Sequence, residues 1–479
     1  MKKIIYTLAL LPVLLYGQDN TYNYVRAYTY KEATYFSDEA KANATVTYYD
    51  AIGRPIQQIA GKMSGNGKDI VTHIKYDAYG RQEYSYLPYA SENSNLAFNG
   101  TAEVNTYTFY NTSQYENTPN PYSRSFFESS PLNRVLKQAA PGAAWIGDPG
   151  SNDDKTVKFA YRANVQNEVK RLSATATWNN TTGIYDIAFA DLGYYSEAQL
   201  NKSIVTNENG ASTEEFKNMQ GQVLLKRAYD RDEKYDTYYV YDQFGNLTYV
   251  IPPLAEGLLD PGLCYYYKYD HRNRLAEKKI PGKQWEYIVY DILDRVVATG
   301  PALSPFGVAA TEGWMYTFYD TMSRPAFTGW YAAAGINSNA RAALQAQHTG
   351  AVSNVQRSSD IIDNIPVGYK RTIIPPGFKL LTINYYDTYA SDAYPWPGGP
   401  ETPASSMIIE GQPVMAIPKG LPVGSWTRVL DSPTGTTGET SYTLYDEKGR
   451  PVRTYMANYI GGYTQADTKL DFDGTPQYT

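Results

Sequence analysis

The stretch Tyr241-Asp242-Gln243-Phe244-Gly245-Asn246 decides the reading of this chain, because it is one copy of a phrase, Tyr-Asp-x-x-Gly-Arg, that recurs along it. Full copies stand at Tyr49-Asp50-Ala51-Ile52-Gly53-Arg54, Tyr76-Asp77-Ala78-Tyr79-Gly80-Arg81 and Tyr445-Asp446-Glu447-Lys448-Gly449-Arg450. Looser copies begin at Tyr269-Asp270, Tyr290-Asp291 and Tyr319-Asp320. They put Asn273, Asp294 and Ser323 in the Gly position and keep Arg274, Arg295 and Arg324 after it. Asp242, Asp270, Asp291 and Asp320 follow one another at steps of 28, 21 and 29 residues, as in chains built by stacking one supersecondary unit on the next. Asp opening the turn and Gly three residues later is type I turn chemistry: the carboxylate accepts nearby backbone N–H groups and Gly takes a positive φ. Asn and Asp are the best substitutes for Gly there. Runs such as Tyr238-Tyr239-Val240-Tyr241 before the turn and Leu247-Thr248-Tyr249-Val250 after it are strand-like, so each unit reads as strand, tight turn, strand. Recurrence in unit after unit assigns the Asp and Arg to bracing the turn or its neighbour, not to a single active site.

Working outward, residues 1–17 read as a signal peptide: Met1-Lys2-Lys3, an apolar run from Ile4 to Tyr16, and the small residue Gly17. Residues 18–149 read as a β-rich N-terminal domain with two units, in which Val104–Tyr110 is strand-like, and 150–213 as a strand-rich module. The regular array spans 214–330 and opens with a degenerate copy in which Asn218 and Gln222 replace Asp and Arg. Residues 331–440 break the pattern and read as an irregular insertion with one short helix at Ser338–Gln347, a strand restarting at Tyr385-Tyr386-Asp387, and a Pro/Gly-rich loop from Ala393 to Gly438. The units resume over 441–479, where Asp471-Phe472-Asp473-Gly474 leaves one truncated, as in a fragment or a shortened gene product. The fold expected is mainly β: an array of antiparallel hairpins forming a curved strip or partial shell, with a β-rich N-terminal domain.

Composition supports this. The chain holds 48 Tyr against 14 Phe and 7 Trp, and Tyr suits half-buried strand positions with the ring on the sheet and the hydroxyl toward water. A wall wetted on two faces and a glycan-binding surface would both use it. Cleaving the leader removes two of the 43 basic residues and leaves 49 acidic ones, a formal charge of −8 that argues against nucleic-acid binding. Cys264 is the single thiol, so no intrachain disulfide forms, and no stretch after the leader is apolar and long enough to span a bilayer.

A search for catalytic chemistry is mostly negative. His73, His271 and His348 are far apart and form no zinc pair. Gly61–Asp69 has glycines and lysines like a phosphate loop, but Lys62 and Asp69 occupy places that need Gly and Ser/Thr, so it reads as a hairpin tip. Asp148, Asp153 and Asp154, and Asp471 with Asp473, lack calcium-loop spacing and read as solvated turns. Trp314, Trp330, Trp396 and Trp426 read as packing residues before sugar platforms. No residue pair is singled out for glycoside hydrolysis. The expectation is a non-enzyme without cofactor or metal.

The phrase and its spacing resemble the YD repeats of the bacterial Rhs (rearrangement hotspot) family. Asp50-Ala51-Ile52-Gly53-Arg54-Pro55-Ile56-Gln57-Gln58, Tyr84-Ser85-Tyr86-Leu87-Pro88-Tyr89 and Ser129-Ser130-Pro131-Leu132-Asn133-Arg134-Val135 resemble the uncharacterised N-terminal domain that opens Rhs-repeat proteins of the Bacteroidota. The similarity covers nearly everything after the leader and is weakest over Tyr331–Gly438 and the last residues. In that family the repeats wind into a hollow shell around a C-terminal toxin, and a segment near the shell's end cleaves itself with aspartyl chemistry. Leu258-Leu259-Asp260-Pro261-Gly262-Leu263 sits mid-array and reads as a proline turn, not that segment. The resemblance implies an exported, non-catalytic scaffold: the N-terminal portion or remnant of a shell enclosing a C-terminal toxin domain in interbacterial competition. Its place would be extracellular or on the surface of a Gram-negative cell. The second reading is a cell-surface glycan-binding protein or adhesin.

Overall fold

The computed structural model describes residues 22–32, 41–231, 233–307, 311–350, 354–370, 374–389, 396–399, 403 and 406–479. The leader at 1–17 lies outside them. The fold is mainly β, with antiparallel ladders throughout. The chain divides into two compact units, Met1–Ala160 with Ile204–Ser212 and Tyr161–Ser203 with Thr213–Thr479, so the stretch 150–213 is shared between them.

In the first unit, Asn23–Tyr30, Ala42–Tyr49, Pro55–Ala60, Ile70–His73 and Tyr89–Ala90 form an antiparallel sheet in that order. Val46, Tyr48, Ile59 and Val71 are buried on one face beneath Leu96 and Ala102. The cover is helix α1, Ala102–Tyr110, where the sequence reading expected a strand. Within the helix the threonine hydroxyls turn back onto the chain. Thr106 and Thr108 donate their hydroxyls to the carbonyls of Ala102 and Val104, four residues back, at 2.8 and 3.1 Å. Ala102 and Thr106, one helical turn apart, are the buried pair, while Val104 lies exposed. Tertiary burial outweighs the β propensity of Val and Thr.

In the second unit the array of hairpins forms one continuous ladder from Ser212–Lys217 to Tyr463–Asp467, each strand pairing antiparallel with the next. Over 331–440, where one strand was expected to restart at Tyr385-Tyr386-Asp387, the ladder takes more of the chain than that. Lys379–Tyr386 pairs with Pro325–Ala332 on one side and with Pro422–Arg428 on the other, so two array strands lie within that stretch. Phe318, Phe327, Ile383 and Trp426 stand directly opposite one another on four successive strands and are all nearly fully buried. Burying each such side chain is worth about 1.5–3 kcal/mol.

One face of this sheet is covered by segments that leave the array and return. The hairpin Lys170–Asn179/Ile184–Tyr194 brings Leu172, Ala174, Ile187 and Phe189 against Val240 and Tyr249. Helix α2, Ser338–Gln347, begins at Asn337, whose side chain accepts the N–H groups of Asn339 and Ala340, and lays Leu344 on the core. Arg341 enters from α2 as a nearly fully buried cation, pairing with Glu277 at 3.7 Å and donating to the Thr182 carbonyl. Glutamines fasten these covers. Gln243 bonds both the N–H and the carbonyl of Ala176, at 2.8 and 2.7 Å. Gln345 does the same to Tyr290, at 3.0 and 2.6 Å. Gln57 does it to Asn99, just ahead of α1 in the first unit, at 2.9 Å each. A glutamine amide has the donor and acceptor of a peptide group, so it satisfies a backbone edge that no strand reaches.

Candidate functional site

The residues picked from sequence come together as a row of turns, each locked internally and fastened to the next. Within a turn, the Asp Oδ1 accepts two backbone N–H groups. For Asp270 these are Arg272 and Arg274 at 2.9 and 3.0 Å, and for Asp446 Lys448 and Arg450 at 2.9 Å each. The Asp Oδ2 accepts Arg Nε: 2.7 Å for Arg81 to Asp77, Arg274 to Asp270, Arg295 to Asp291, Arg324 to Asp320 and Arg450 to Asp446, and 2.8 Å for Arg54 to Asp50. Asn246 supplies a weaker amide in that place, at 3.2 Å from Asp242.

The fourth turn position is left-handed throughout, with φ of 84° at Gly53, 79° at Gly80, 84° at Gly245 and 76° at Gly449. Asn273, Asp294 and Ser323 hold φ of 57°, 62° and 63°. Asn and Asp enter this region at modest cost, and Ser323 is the strained member. The ladder shifts register at the turns that follow Tyr49, Tyr241, Tyr269, Tyr290, Tyr319 and Tyr445, which is the bulge that a type I turn followed by a left-handed residue produces.

The phrase assigned Asp and Arg to bracing the turn or its neighbour; the partners that join one turn to the next are what it did not show. Arg274 Nη1 reaches the next turn, donating to the Asp291 carbonyl at 3.2 Å and to Asp294 Oδ1 at 2.8 Å. Its guanidinium lies 4.7 Å from the Tyr290 ring centre. The Tyr290 hydroxyl in turn donates to the Leu275 carbonyl, just after Arg274, at 2.8 Å. The same exchange links Arg295 with Tyr319, whose hydroxyl donates to the Val296 carbonyl at 2.7 Å; Arg450 keeps the guanidinium half alone, donating to the Asp471 carbonyl at 2.8 Å. In the first unit Arg54 stacks on Tyr76 at 4.3 Å and Arg81 on Phe127 at 4.7 Å. Burial, with the Asp242 charge nearby, pushes the Tyr269 phenol up to about 12, and burial also raises Tyr290 and Tyr319. Each Tyr, Asp and Arg of a joint is thus already engaged with chain groups, which suits a clamp.

The other sequence candidates sit elsewhere. Asp69 accepts the N–H groups of Lys62 at 2.9 Å and Leu96 at 2.7 Å, which makes the glycine-rich tip a folded turn. Asp154 binds Lys158 at 3.0 Å and Thr156 at 2.7 Å, and its carboxyl lies well below the ordinary range, although burial opposes this. Trp314, Trp330, Trp396 and Trp426 are buried. His73 packs on Tyr86, His271 on Trp178 and His348 on Tyr316. Among the described residues no group of three or more His, Cys, Asp or Glu is placed to hold a metal ion, and no helix is long and apolar enough to cross a membrane.

Sequence reasoning put Asp387 in a restarting strand and missed it as a turn residue. Its carboxylate binds Arg324 at 2.6 and 3.2 Å, and Arg324 lowers its pKa; it also accepts the Gly420 N–H at 2.7 Å. A signal was present: Gly53-Arg54-Pro55, Gly449-Arg450-Pro451 and Gly420-Leu421-Pro422 share Gly-x-Pro.

A family described as a domain of unknown function (DUF6443) matches residues 20–162. No curated protein sequence matches the chain. Among solved structures it is similar to a crystal structure of TcdB2-TccC3-TEV, with 12% identity and a TM-score of 0.42 over 98% of this chain and 21% of that one. It is also similar to a structure of the Photorhabdus luminescens Tc holotoxin pore, with 12% identity and a TM-score of 0.40 over 95% of this chain and 20% of that one. This chain spans about a fifth of the length of those chains. Likeness at this level carries no information on activity.

Proposed function

We propose that the chain is an exported, non-catalytic scaffold: the N-terminal portion, or a remnant, of an Rhs-type shell that encloses a toxin domain in competition between bacteria. The observation that carries the reading is the joint. Arg274, Arg295, Arg324 and Arg450 each close their own turn and grip the next, so these groups serve cohesion of the array. A wall built this way holds a fixed shape while leaving the residues between turns free to suit its contents.

The glycan-binding alternative has one observation in its favour, the tyrosine stack on three successive strands. Tyr442 and Tyr455 lie 4.7 Å apart at 16°, and Tyr455 and Tyr463 5.4 Å apart at 21°. Rings stacked on one another in this way offer a sugar their edges more than their faces, so the scaffold reading is preferred.

The test is to sequence the genomic frame through and beyond the Thr479 codon, purify the complete secreted product, and treat it with protease. A downstream segment that resists cleavage while the units are intact supports the reading. A downstream segment cut at once, or none at all, overturns enclosure. Recovery of the product only in the cytoplasm overturns export.

A further inference from the structure

Asp387 and Gly420 occupy equivalent places to the Asp and Gly of an ordinary turn, although residues 388–419 separate them. Tyr386 pairs with Pro422 across a register shift, as Tyr241 pairs with Leu247 and Tyr445 with Pro451. The Asp387 N–H donates to the Leu421 carbonyl at 3.1 Å, as that of Asp446 does to Arg450 at 2.9 Å. Gly420 has φ of 85°, matching 84° at Gly245. Tyr386 sends its hydroxyl to the Pro325 carbonyl of the preceding unit at 3.2 Å, and Arg324 stacks on its ring at 4.2 Å. This is one repeat turn opened in the middle.

The split turn carries Leu421 where its neighbours carry Arg. Leu421 has no donor to send toward the next turn; its Cδ1 lies beside Gly449, 3.4 Å from where a Cβ on that residue would stand. The hydroxyl half of the joint survives, from Tyr445 to the Pro422 carbonyl at 2.5 Å. The guanidinium half is missing at this joint.

The inserted residues cross to the units that the missing arginine would have gripped. Val414 bridges to Asp446, and the Met415 N–H donates to the Tyr445 carbonyl at 2.8 Å. Gln412, nearly fully buried, donates to the Thr468 carbonyl at 2.9 Å and accepts the Leu470 N–H at 3.1 Å. Tyr389 donates to the Thr443 carbonyl at 3.1 Å, and Glu410 accepts the Tyr478 hydroxyl at 3.0 Å. Ile409 and Val414 pack into the core with Leu444, Val452 and Leu470.

We propose that residues 406–415 are a strap that takes over the arginine's task, and that the strap governs separate opening of Gly438–Tyr478. Across the split turn the strap stands in for the guanidinium, while Arg450 still grips the Asp471 turn beyond it at 2.8 Å. Gln412 is the positioning residue that seats the strap. Letting go of it frees the following hairpins while the array before the split keeps its arginine joints.

Hydrogen exchange on the full chain tests this, with Gln412→Leu, Leu421→Arg and both together. Gln412→Leu is expected to speed exchange at Leu444, Val452 and Leu470 at least tenfold and to leave Val240, Val289 and Phe318 unchanged. Adding Leu421→Arg is expected to recover much of the lost protection, since the new guanidinium would lie over Tyr445 toward Gly449. Uniform acceleration across both regions, or no change at Leu444 and Leu470, overturns the strap. If Gln412→Leu fails to fold, Tyr478→Phe removes one strap bond and is read at the same amides. These outcomes concern the split joint alone and do not depend on what the array encloses.

Discussion

Arg274→Ala puts a number on one joint. The side chains of Arg274 and Asp270 are 13% and 5% exposed, and both Nε and Nη2 of the arginine address Asp270 Oδ2. Truncation leaves that oxygen buried without its donors, while Oδ1 keeps the N–H groups of residues 272 and 274. Removing one partner of a buried ion pair costs about 3–5 kcal/mol, and the retained backbone bonds place this case at the low end. Loss of the stacking on Tyr290 adds about 0.5–1 kcal/mol. A net cost of about 3.5–4 kcal/mol corresponds to opening roughly 300–700 times more often, at about 1.4 kcal/mol per factor of ten. A chain of two compact units has no single unfolding free energy, so the readout is amide exchange at Ala276, Glu277 and Val289. Arg54→Ala is the control: Arg54 and Asp50 are 36% and 21% exposed, and no resolvable change is expected. Arg274→Lys keeps the charge but not the fork and should fall between. Equal losses in Arg274→Ala and Arg54→Ala, or less than a tenfold change in the former, would refute the account of the joint.

Three further outcomes are expected. Gln345→Leu leaves the N–H and carbonyl of Tyr290 without their partner, at about 1–3 kcal/mol for each group that stays dry, and should raise exchange in α2 and at Tyr290 while Leu172–Thr177 is unaffected. Asp387 has its pKa drawn below the ordinary carboxylate value by Arg324, so the stability it confers is complete above that ordinary value and is lost as pH falls through its own lower one. Asp387→Asn should therefore flatten the acid dependence of exchange at Ile383 below pH 4, and an unchanged dependence would remove Asp387 from the joint. At the alkaline end Tyr269 keeps its proton past the ordinary value and its contribution is lost as pH rises toward about 12; in a 295 nm titration Tyr269→Phe should delete a late phenolate step and leave the early ones.

Much of the scaffold was legible because turn chemistry is local. Asp, Gly and Arg within six residues carry their own partners, so Asp242, Asp270 and Asp446 could be read as turn residues without knowing what lay beside them. That the arginine could brace a neighbouring unit was legible, but its partners there were not, since Arg274 and Tyr290 bond to backbone carbonyls, and a carbonyl has no residue type. Gln57, Gln243 and Gln345 were silent for the same reason. Asp387 was hidden by separation, as its Gly lies beyond an insertion. Helix α1 was misread because Val104, Thr106 and Thr108 favour strands until Ala102 and Thr106 find a surface to cover.

The joint between turns also bears on how such a chain can change. Each ordinary unit presents the same tyrosine and the same carbonyl backward and the same arginine forward, and neither depends on the residues in between. Units are therefore interchangeable parts. One can be duplicated, dropped or exchanged with a copy from another gene, and the new junction is chemically the same as the old one. The unequal steps between Asp242, Asp270, Asp291 and Asp320 fit that tolerance. The exceptions, Gln222, Asn246 and Leu421, mark the places where a unit has become tied to its own neighbours and can no longer be moved freely.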